Sequence, residues 1–262
     1  MKCRLIAADI DGTLVDSNKE ISPATETAVK KAQSRGAIFT ISTGRSVQGL
    51  KKYLHLVKPG TPVVTYNGAV VLIPDTGEVL FEQGLGPAAA EEIILRGVSL
   101  GASVTVWSHG RLYSPNKDER VEKYRRIYDT ECRPIPDPAA LAALGVTKVM
   151  WLDEPERTER QQREFRLEGV RCIISEPGYL EFIDEGVSKA EGLKKAAEYL
   201  KVKREEVMAL GDSYNDTDML RWAGLGVAMA NAEEEVKAAA DRLTASNDED
   251  GVARAIERFV LK

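Results

Sequence analysis

The chain has 262 residues, of which 43% are hydrophobic and 29% charged, with a formal net charge of -5 at pH 7. This profile is typical of a globular protein that can bury its own core, and it excludes a disordered or fibrous chain. Because the charge is negative and no basic stripe is present, we expect no binding to nucleic acid or to a membrane.

Cysteine usage and hydropathy indicate the compartment. Cys3, Cys132 and Cys172 have neither the spacing of metal ligands nor the even number of a disulfide framework. The apolar run before Asp9 is too short for a signal peptide, and no later run approaches the ~18 apolar residues of a membrane span. We therefore expect a cytoplasmic protein, whose oligomeric state the sequence leaves unknown.

The first third of the chain alternates apolar strands with a helix, the pattern of a parallel sheet covered on both faces. Strands are predicted at residues 4–10, 37–43 and 62–68. Between the first two, Ser22 at the N-cap and Pro23 at the first helical position predict a helix that Gly36 ends.

The pattern changes in the middle of the chain, where tight turns join the strands. Turns at residues 108–110 and 177–178 predict two hairpins, and charged helices lie between them. The parallel pattern then returns, with a helix that starts at the capping box of Ser188 and Glu191. We predict an α/β core, residues 1–82 and 185–262, that is interrupted by an inserted α+β domain at residues 83–184.

Polar side chains collect where the predicted strands of the core end, which is where open parallel sheets bind ligands. They follow three early strands and a later one: Asp9 and Asp11; Thr43, Gly44 and Arg45; Asn67; and Asp212, Asn215 and Asp216. Lys189 begins a helix, a position that favours an anion. Taken singly, each also fits a turn, an N-cap or a solvated side chain. Together they favour a site for Mg²⁺ and a phosphate group.

Other kinds of site fit the sequence less well. An EF-hand calcium loop from Asp9 to Glu20 would need glycine where Leu14 stands, and a helix where an apolar strand precedes it. The motifs of zinc proteases, serine hydrolases and P-loop nucleotide binders are absent from the sequence.

Five motifs resemble those of the haloacid dehalogenase-like (HAD) superfamily, in its Cof-type phosphatase branch. They are D-I-D-G-T at 9–13, S-T-G-R at 42–45, Y-N-G at 66–68, G-V-S-K at 186–189 and G-D-S-Y-N-D at 211–216. The resemblance extends over nearly the whole chain, including residues 215–232 and 246–259 outside these motifs. It implies a Rossmann-like, doubly wound parallel sheet core with an inserted α+β cap domain.

The resemblance also implies roles for the site residues. Asp9 would be the nucleophile that forms an aspartyl phosphate, and Asp11 would be the general acid and base. Thr43 and Lys189 would hold phosphoryl oxygens. The expected ligands of Mg²⁺ are Asp9, Asp11, Asp212 and Asp216. The expected contacts to substrate are Gly44, Arg45, Asn67, Asn215 and, in the cap, Glu181, which matches a glutamate common in the branch. Arg45 fits a phosphate contact, an acidic group of the substrate and a surface ion pair equally well.

These roles lead us to expect a magnesium-dependent phosphatase that acts on small phosphorylated metabolites, either sugar phosphates or phosphorylated cofactors. A phosphomutase of the same superfamily is one alternative, and it would require a bisphosphorylated activator. A phosphate-binding regulatory module without turnover is the other.

Overall fold

The computed structural model describes residues 3–127, 129–135 and 137–262. They form two compact units. The first unit comprises the described residues of Met1–Thr43, Lys52–Phe81 and Ser188–Lys262, and the second comprises those of Gly44–Lys51 and Glu82–Val187.

The strands and helices follow one another along the chain in the numbering used below. The strands are β1 (Leu5–Ala8), β2 (Ile38–Ile41), β3 (Val63–Thr65), β4 (Val70–Ile73), β5 (Glu78–Glu82), β6 (Ser103–Ser108), β7 (Arg111–Ser114), β8 (Cys132–Pro134), β9 (Lys148–Leu152), β10 (Val170–Glu176), β11 (Tyr179–Asp184), β12 (Val207–Gly211), β13 (Leu225–Ala228) and β14 (Arg242–Leu243). The helices are α1 (Pro23–Ser34), α2 (Pro87–Ser99), α3 (Glu119–Ile127), α4 (Pro138–Leu144), α5 (Pro155–Glu164), α6 (Lys189–Tyr199), α7 (Thr217–Trp222), α8 (Glu234–Lys237) and α9 (Gly251–Phe259).

The first unit is built on a sheet of parallel strands in the order β14-β13-β12-β1-β2. Every residue of β1 and β12 is buried, as expected for central strands of a sheet covered on both faces. Leu5 and Ala7 of β1 pack with Leu193 of α6 and Met219 of α7, while β3, β4 and β5 form a smaller sheet. The predicted α/β class with a parallel core is confirmed.

The parallel arrangement also fixes where the site lies. The strands of the main sheet all point the same way, so the residues that follow β1, β12, β13 and β14 emerge at one edge. The core of apolar side chains lies beneath this edge, and loops carry the polar residues.

The second unit is a mostly antiparallel sheet in the order β10-β11-β9-β6-β7-β8, in which the β7–β8 pair is parallel. Apolar residues from one face of the sheet, such as Val104, Trp151 and Phe182, form a core with residues of α2 and α4. The two hairpins that the turns predict are both present, β6–β7 and β10–β11. Gly178 turns the second hairpin with a φ of 86°, a conformation that favours glycine.

Among the described residues, no helix combines the length and the apolar character that crossing a membrane requires.

Candidate active site

Asp9 lies directly after β1, where the chain leaves the sheet. The strand predicted to run to residue 10 ends at Ala8, and Ile10–Leu14 form a single irregular helical turn. Asp9 is buried, and its backbone N–H donates to the carbonyl of Leu210 at 3.0 Å. The main chain at Asp9 is therefore anchored to both central strands of the sheet, β1 and β12.

Gly12 allows the loop after β1 to pass close to Asp212, which follows β12. Its φ is 76°, and a Cβ atom at this position would lie 2.2 Å from Oδ2 of Asp212. The next residue, Thr13, donates from Oγ1 to Oδ1 of Asp212 at 2.6 Å. The D-I-D-G-T motif therefore orients Asp212 as well as carrying Asp9.

Lys189 lies between two carboxylates at the first position of α6. Ser188 caps the helix as predicted, since its side chain accepts from the backbone N–H of Glu191. The Nζ atom of Lys189, which is 1% exposed, lies 2.9 Å from Oδ1 of Asp9 and 2.6 Å from Oδ1 of Asp216. Buried charges need such partners, because desolvation makes an unpaired one costly.

Asp216 uses both of its carboxylate oxygens. Oδ1 contacts Lys189, and Oδ2 accepts from the backbone N–H groups of Asp212 and Ser213, each at 3.0 Å. This carboxylate therefore holds the lysine and the loop after β12 in one arrangement.

One carboxylate oxygen from each of Asp9, Asp212 and Asp216 lies within 4.8 Å of the other two. Burial raises the pKa of Asp9 to about 8, against the opposing effect of Lys189. Burial also raises the pKa of Asp212 to about 6, although the hydrogen bond from Thr13 lowers it. For Lys189, burial acts to lower the pKa, but the charges of Asp216 and Asp9 outweigh it and raise the pKa.

These residues fit a divalent cation. Their donors are hard carboxylate oxygens, which Mg²⁺ prefers, and the three acids, two of them buried, carry a charge of -2 together with Lys189 when fully ionised. Burial is the main cause of the raised pKa values of Asp9 and Asp212, so a bound cation would favour the ionised form of both acids.

The segment after β2 is hydrogen-bonded to the Y-N-G turn. Thr43 is buried, its N–H donates to the carbonyl of Val64, and its own carbonyl accepts from the N–H of Asn67 at 3.0 Å. Asn67 Oδ1 in turn accepts from Nδ2 of Asn215 at 2.9 Å. The structure therefore brings Thr43, Asn67 and Asn215 together at the edge of the sheet.

The Y-N-G turn has an unusual backbone. Tyr66 and Asn67 both have a positive φ, 51° and 58°, although neither is glycine. A Cβ atom at Gly68 would lie 1.9 Å from the carbonyl oxygen of Ser188, so the turn packs directly on the start of α6. Such conformations cost energy and persist where the surroundings enforce them. Here the enforced turn lies next to Lys189.

Asp11 lies outside the cluster that Asp9, Asp212 and Asp216 form, and its place among the ligands of Mg²⁺ stays a prediction. Its Oδ1 instead accepts from Nζ of Lys19 at 2.9 Å, and 39% of its side chain is exposed. The reason is local, because the turn at Gly12 separates Asp11 from Thr13, and Thr13 is the residue that faces Asp212.

The second unit contains the other predicted residues, Gly44, Arg45 and Glu181. Arg45 donates to the carbonyl of Gly49 at 3.4 Å. Glu181 is buried, and its Oε1 lies 3.0 Å from Nζ of Lys148, which also donates to the carbonyl of Gly44 at 3.4 Å. Sequence reasoning missed Lys148, although a lysine at the start of an otherwise apolar strand was a visible signal.

Comparison with known proteins identifies the family of this chain. A family model described as haloacid dehalogenase-like hydrolase matches residues 6–256, and the chain belongs to that family. The 5-amino-6-(5-phospho-D-ribitylamino)uracil phosphatase YcsE of Bacillus subtilis is 32% identical over 267 residues, which cover 98% of this chain and 96% of YcsE.

Solved structures agree with this assignment. A haloacid dehalogenase-like hydrolase from Bacteroides thetaiotaomicron has a TM-score of 0.86 at 32% identity, covering 98% of this chain and 99% of its own. The HAD subclass IIB sugar phosphatase BT4131 has a TM-score of 0.84 at 25% identity, covering 98% of both chains. The predicted family and the predicted enzyme class, a phosphoric monoester hydrolase, are both confirmed.

Proposed function

We propose that the protein is a magnesium-dependent phosphatase that hydrolyses small phosphorylated metabolites through an aspartyl phosphate on Asp9. The observation that carries this proposal is the buried lysine between two carboxylates. Lys189 Nζ lies 2.9 Å from Asp9 and 2.6 Å from Asp216, and Asp212 completes a cluster of acids within 4.8 Å. A nucleophilic carboxylate, a cation for phosphoryl oxygens and a place for a divalent ion occur in one site.

Asp9 and Asp212 are the residues we propose as the main ligands of Mg²⁺. Asp216, whose oxygens are already bonded to Lys189 and to two backbone N–H groups, supports them. When bound, the ion neutralises negative charge on the acids and on the phosphoryl oxygens.

The chain's own residues perform the transfer in two steps. In the first, a carboxylate oxygen of Asp9 bonds to phosphorus while the bond from phosphorus to the leaving oxygen breaks, and Asp11 gives that oxygen a proton. In the second, water attacks phosphorus, Asp11 takes a proton from it, and the bond between phosphorus and Asp9 breaks. Lys189 and Thr43 hold the phosphoryl oxygens in both steps.

Proton transfer alone is too small an effect to account for the enzymatic hydrolysis of a phosphate monoester. A positioned general acid contributes about 10²–10⁴-fold, whereas phosphate monoester hydrolysis is accelerated by enzymes up to ~10²¹-fold. Most of the acceleration must come from held geometry and charge stabilisation, a role that suits Asp9, Asp216 and Lys189, which are buried and bonded to one another.

The names of two relatives support a polyhydroxylated substrate. YcsE is named for a phosphoribityl compound and BT4131 as a sugar phosphatase. We extend the proposal to the second unit, which would act as the cap that selects the leaving group through Arg45 and Glu181. Asn67 and Asn215 would contact the phosphate.

The test is phosphate release from sugar phosphates, phosphoribityl compounds and phosphorylated cofactors, with and without Mg²⁺. We expect Mg²⁺-dependent release that Asp9→Asn lowers by at least ~10³-fold, as removal of a nucleophile does. The matched control is Asp75→Asn, an exposed acid that accepts from the N–H of Gly60. Activity that survives Asp9→Asn would refute the nucleophile, and an inactive intact protein would refute the phosphatase.

The phosphomutase alternative has its own signature. A mutase would return the phosphoryl group from Asp9 to the sugar, so it would require a bisphosphorylated activator and release little free phosphate. A regulatory module would bind phosphate and release none.

A further inference from the structure

Two loops near the C-terminus hold the loop that follows β1. Nδ2 of Asn231, after β13, donates to the carbonyl of Gly12 at 2.8 Å. Nδ2 of Asn247, after β14, donates to the carbonyl of Val15 at 3.0 Å. The carboxylate of Asp248 accepts from both the N–H and the Oγ of Ser17, at 2.7 and 2.6 Å. Residues 12–17 are thus bonded at three points.

The two loops are also bonded to each other and to the sheet. The N–H of Asn247 donates to Oδ1 of Asn231 at 3.0 Å, so each side chain contributes to one continuous set of bonds. The N–H of Ala230 donates to the carbonyl of Ala245, and the N–H of Met229 donates to the carbonyl of Gly211 at the end of β12. The bonds on Gly12 and Val15 are therefore anchored to the sheet that carries Asp212.

The position of the bond on Gly12 matters for the chemistry. Glycine is the most permissive backbone residue, so the direction of the peptide after Gly12 needs an external constraint. That peptide joins Gly12 to Thr13, which bonds Asp212, and the residue on the other side of Gly12 is Asp11. A hydrogen bond to the Gly12 carbonyl therefore restricts the position of Asp11, the side chain proposed to move the proton.

We propose that Asn231 and Asn247 are positioning residues for Asp11. Through the carbonyls of Gly12 and Val15, they hold the loop in the conformation in which Asp11 reaches the leaving oxygen. This inference rests on the proposed phosphatase function and extends it to residues that touch neither substrate nor reacting atoms.

The test compares two leaving groups in Asn231→Asp and Asn247→Asp. Each change keeps Oδ1 and replaces the Nδ2 donor by an oxygen that repels the carbonyl it faced. A sugar phosphate has a poor leaving group that needs a proton, whereas p-nitrophenyl phosphate has a good one that needs little help. We expect kcat/KM to fall about 10- to 100-fold for the sugar phosphate, which is part of the ~10²–10⁴-fold rate contribution of a general acid. For p-nitrophenyl phosphate we expect kcat/KM to fall less than about threefold.

Several measurements separate positioning from damage. In Asn231→Asp, inhibition by inorganic phosphate and the melting temperature should stay near the wild-type values, because the hydrogen bond from Asn231 to Gly12 is exposed and contributes little to stability. Asn116→Asp makes the same chemical change in the second unit, where Oδ1 accepts from the N–H of Val104, and should alter neither substrate. Asn231→Gln, which keeps a donor, should recover part of the loss on the sugar phosphate.

Equal losses on both substrates, or no loss on either, would overturn the positioning role while leaving the phosphatase intact. If the unchanged protein hydrolyses neither substrate, the phosphatase proposal fails and the positioning role fails with it. The two asparagines lie on different loops, so if one variant does not fold, the other variant still tests the positioning role.

Discussion

Replacing Lys189 by methionine tests the electrostatics of the site most directly. Methionine keeps much of the length of the side chain and removes the charge, which leaves the carboxylates of Asp9 and Asp216 buried without their cation. Removing one partner of a buried ion pair typically costs about 3–5 kcal/mol. Since Nζ of Lys189 contacts two acids at 2.9 and 2.6 Å, we expect a loss in that range for the metal-free protein.

The loss should depend on pH with a definite sign. Burial already raises the pKa of Asp9 to about 8, and without Lys189 this pKa rises further. Below pH 8 Asp9 is protonated in both folded proteins, but above pH 8 the folded variant keeps a proton that the folded wild type releases, so the stability of the variant relative to the wild type falls as pH increases beyond 8. Each extra proton corresponds to about 1.4 kcal/mol per pH unit. The deficit is therefore larger at pH 8.5 than at pH 5.5.

Urea denaturation with a metal chelator, followed by circular dichroism at both pH values, measures this loss. Lys30→Met is the matched control, because Lys30 is exposed and its pair with Glu26 should contribute no more than ~0.5 kcal/mol. A loss below ~1 kcal/mol that is the same at pH 5.5 and 8.5 would refute the view that Lys189 compensates buried charge.

Three further changes probe the same structure. The affinity for Mg²⁺, measured by calorimetry, should fall about tenfold per pH unit between pH 8 and 6 and more steeply below pH 6. The reason is that binding needs Asp9 and Asp212 deprotonated, and their pKa values are about 8 and 6. An affinity that does not change with pH would contradict these shifts. Gly12→Ala should lower the free energy of unfolding by about 1–3 kcal/mol and weaken metal binding, since Gly12 has a φ of 76° and a Cβ would lie 2.2 Å from Asp212. An unchanged melting curve and an unchanged metal titration would contradict this prediction. In the second unit, Lys148→Met should cost about 3–5 kcal/mol because it removes the cation that lies 3.0 Å from the buried carboxylate of Glu181. Adding Glu181→Leu should restore part of this loss, and additive losses in the double-mutant cycle would argue against the pair.

Much of the site could be predicted because it follows a topological rule. Residues after the strands of a parallel sheet meet at one edge, and the apolar runs and turn residues locate those strands. This placed Asp9, Thr43, Asn67 and Asp212 at the first unit's edge before their distances were known. The predicted domain boundaries and the chemical roles stay predictions.

What could not be predicted depends on distant pairing or on loop geometry. Lys148 and Glu181 meet because β9 and β11 are neighbours, and nothing in the local sequence of either strand states this order. The hydrogen bond from Thr13 to Asp212 depends on the turn at Gly12, whose geometry the D-I-D-G-T motif does not state, and the role of Asp11 as a metal ligand stays a prediction.

The charge of the cluster suggests an order of events at the site. Asp9, Asp212 and Asp216 together with Lys189 carry -2 when ionised, and a phosphate dianion approaching this arrangement would be repelled. A divalent cation held by these acids would bring the charge to zero, favour the ionised form of Asp9, the proposed nucleophile, whose pKa burial raises, and reduce the repulsion. Under the proposed function, we therefore expect a phosphorylated substrate to bind productively only after the metal, because the burial that makes Asp9 costly to ionise also makes its ionised form depend on a bound cation.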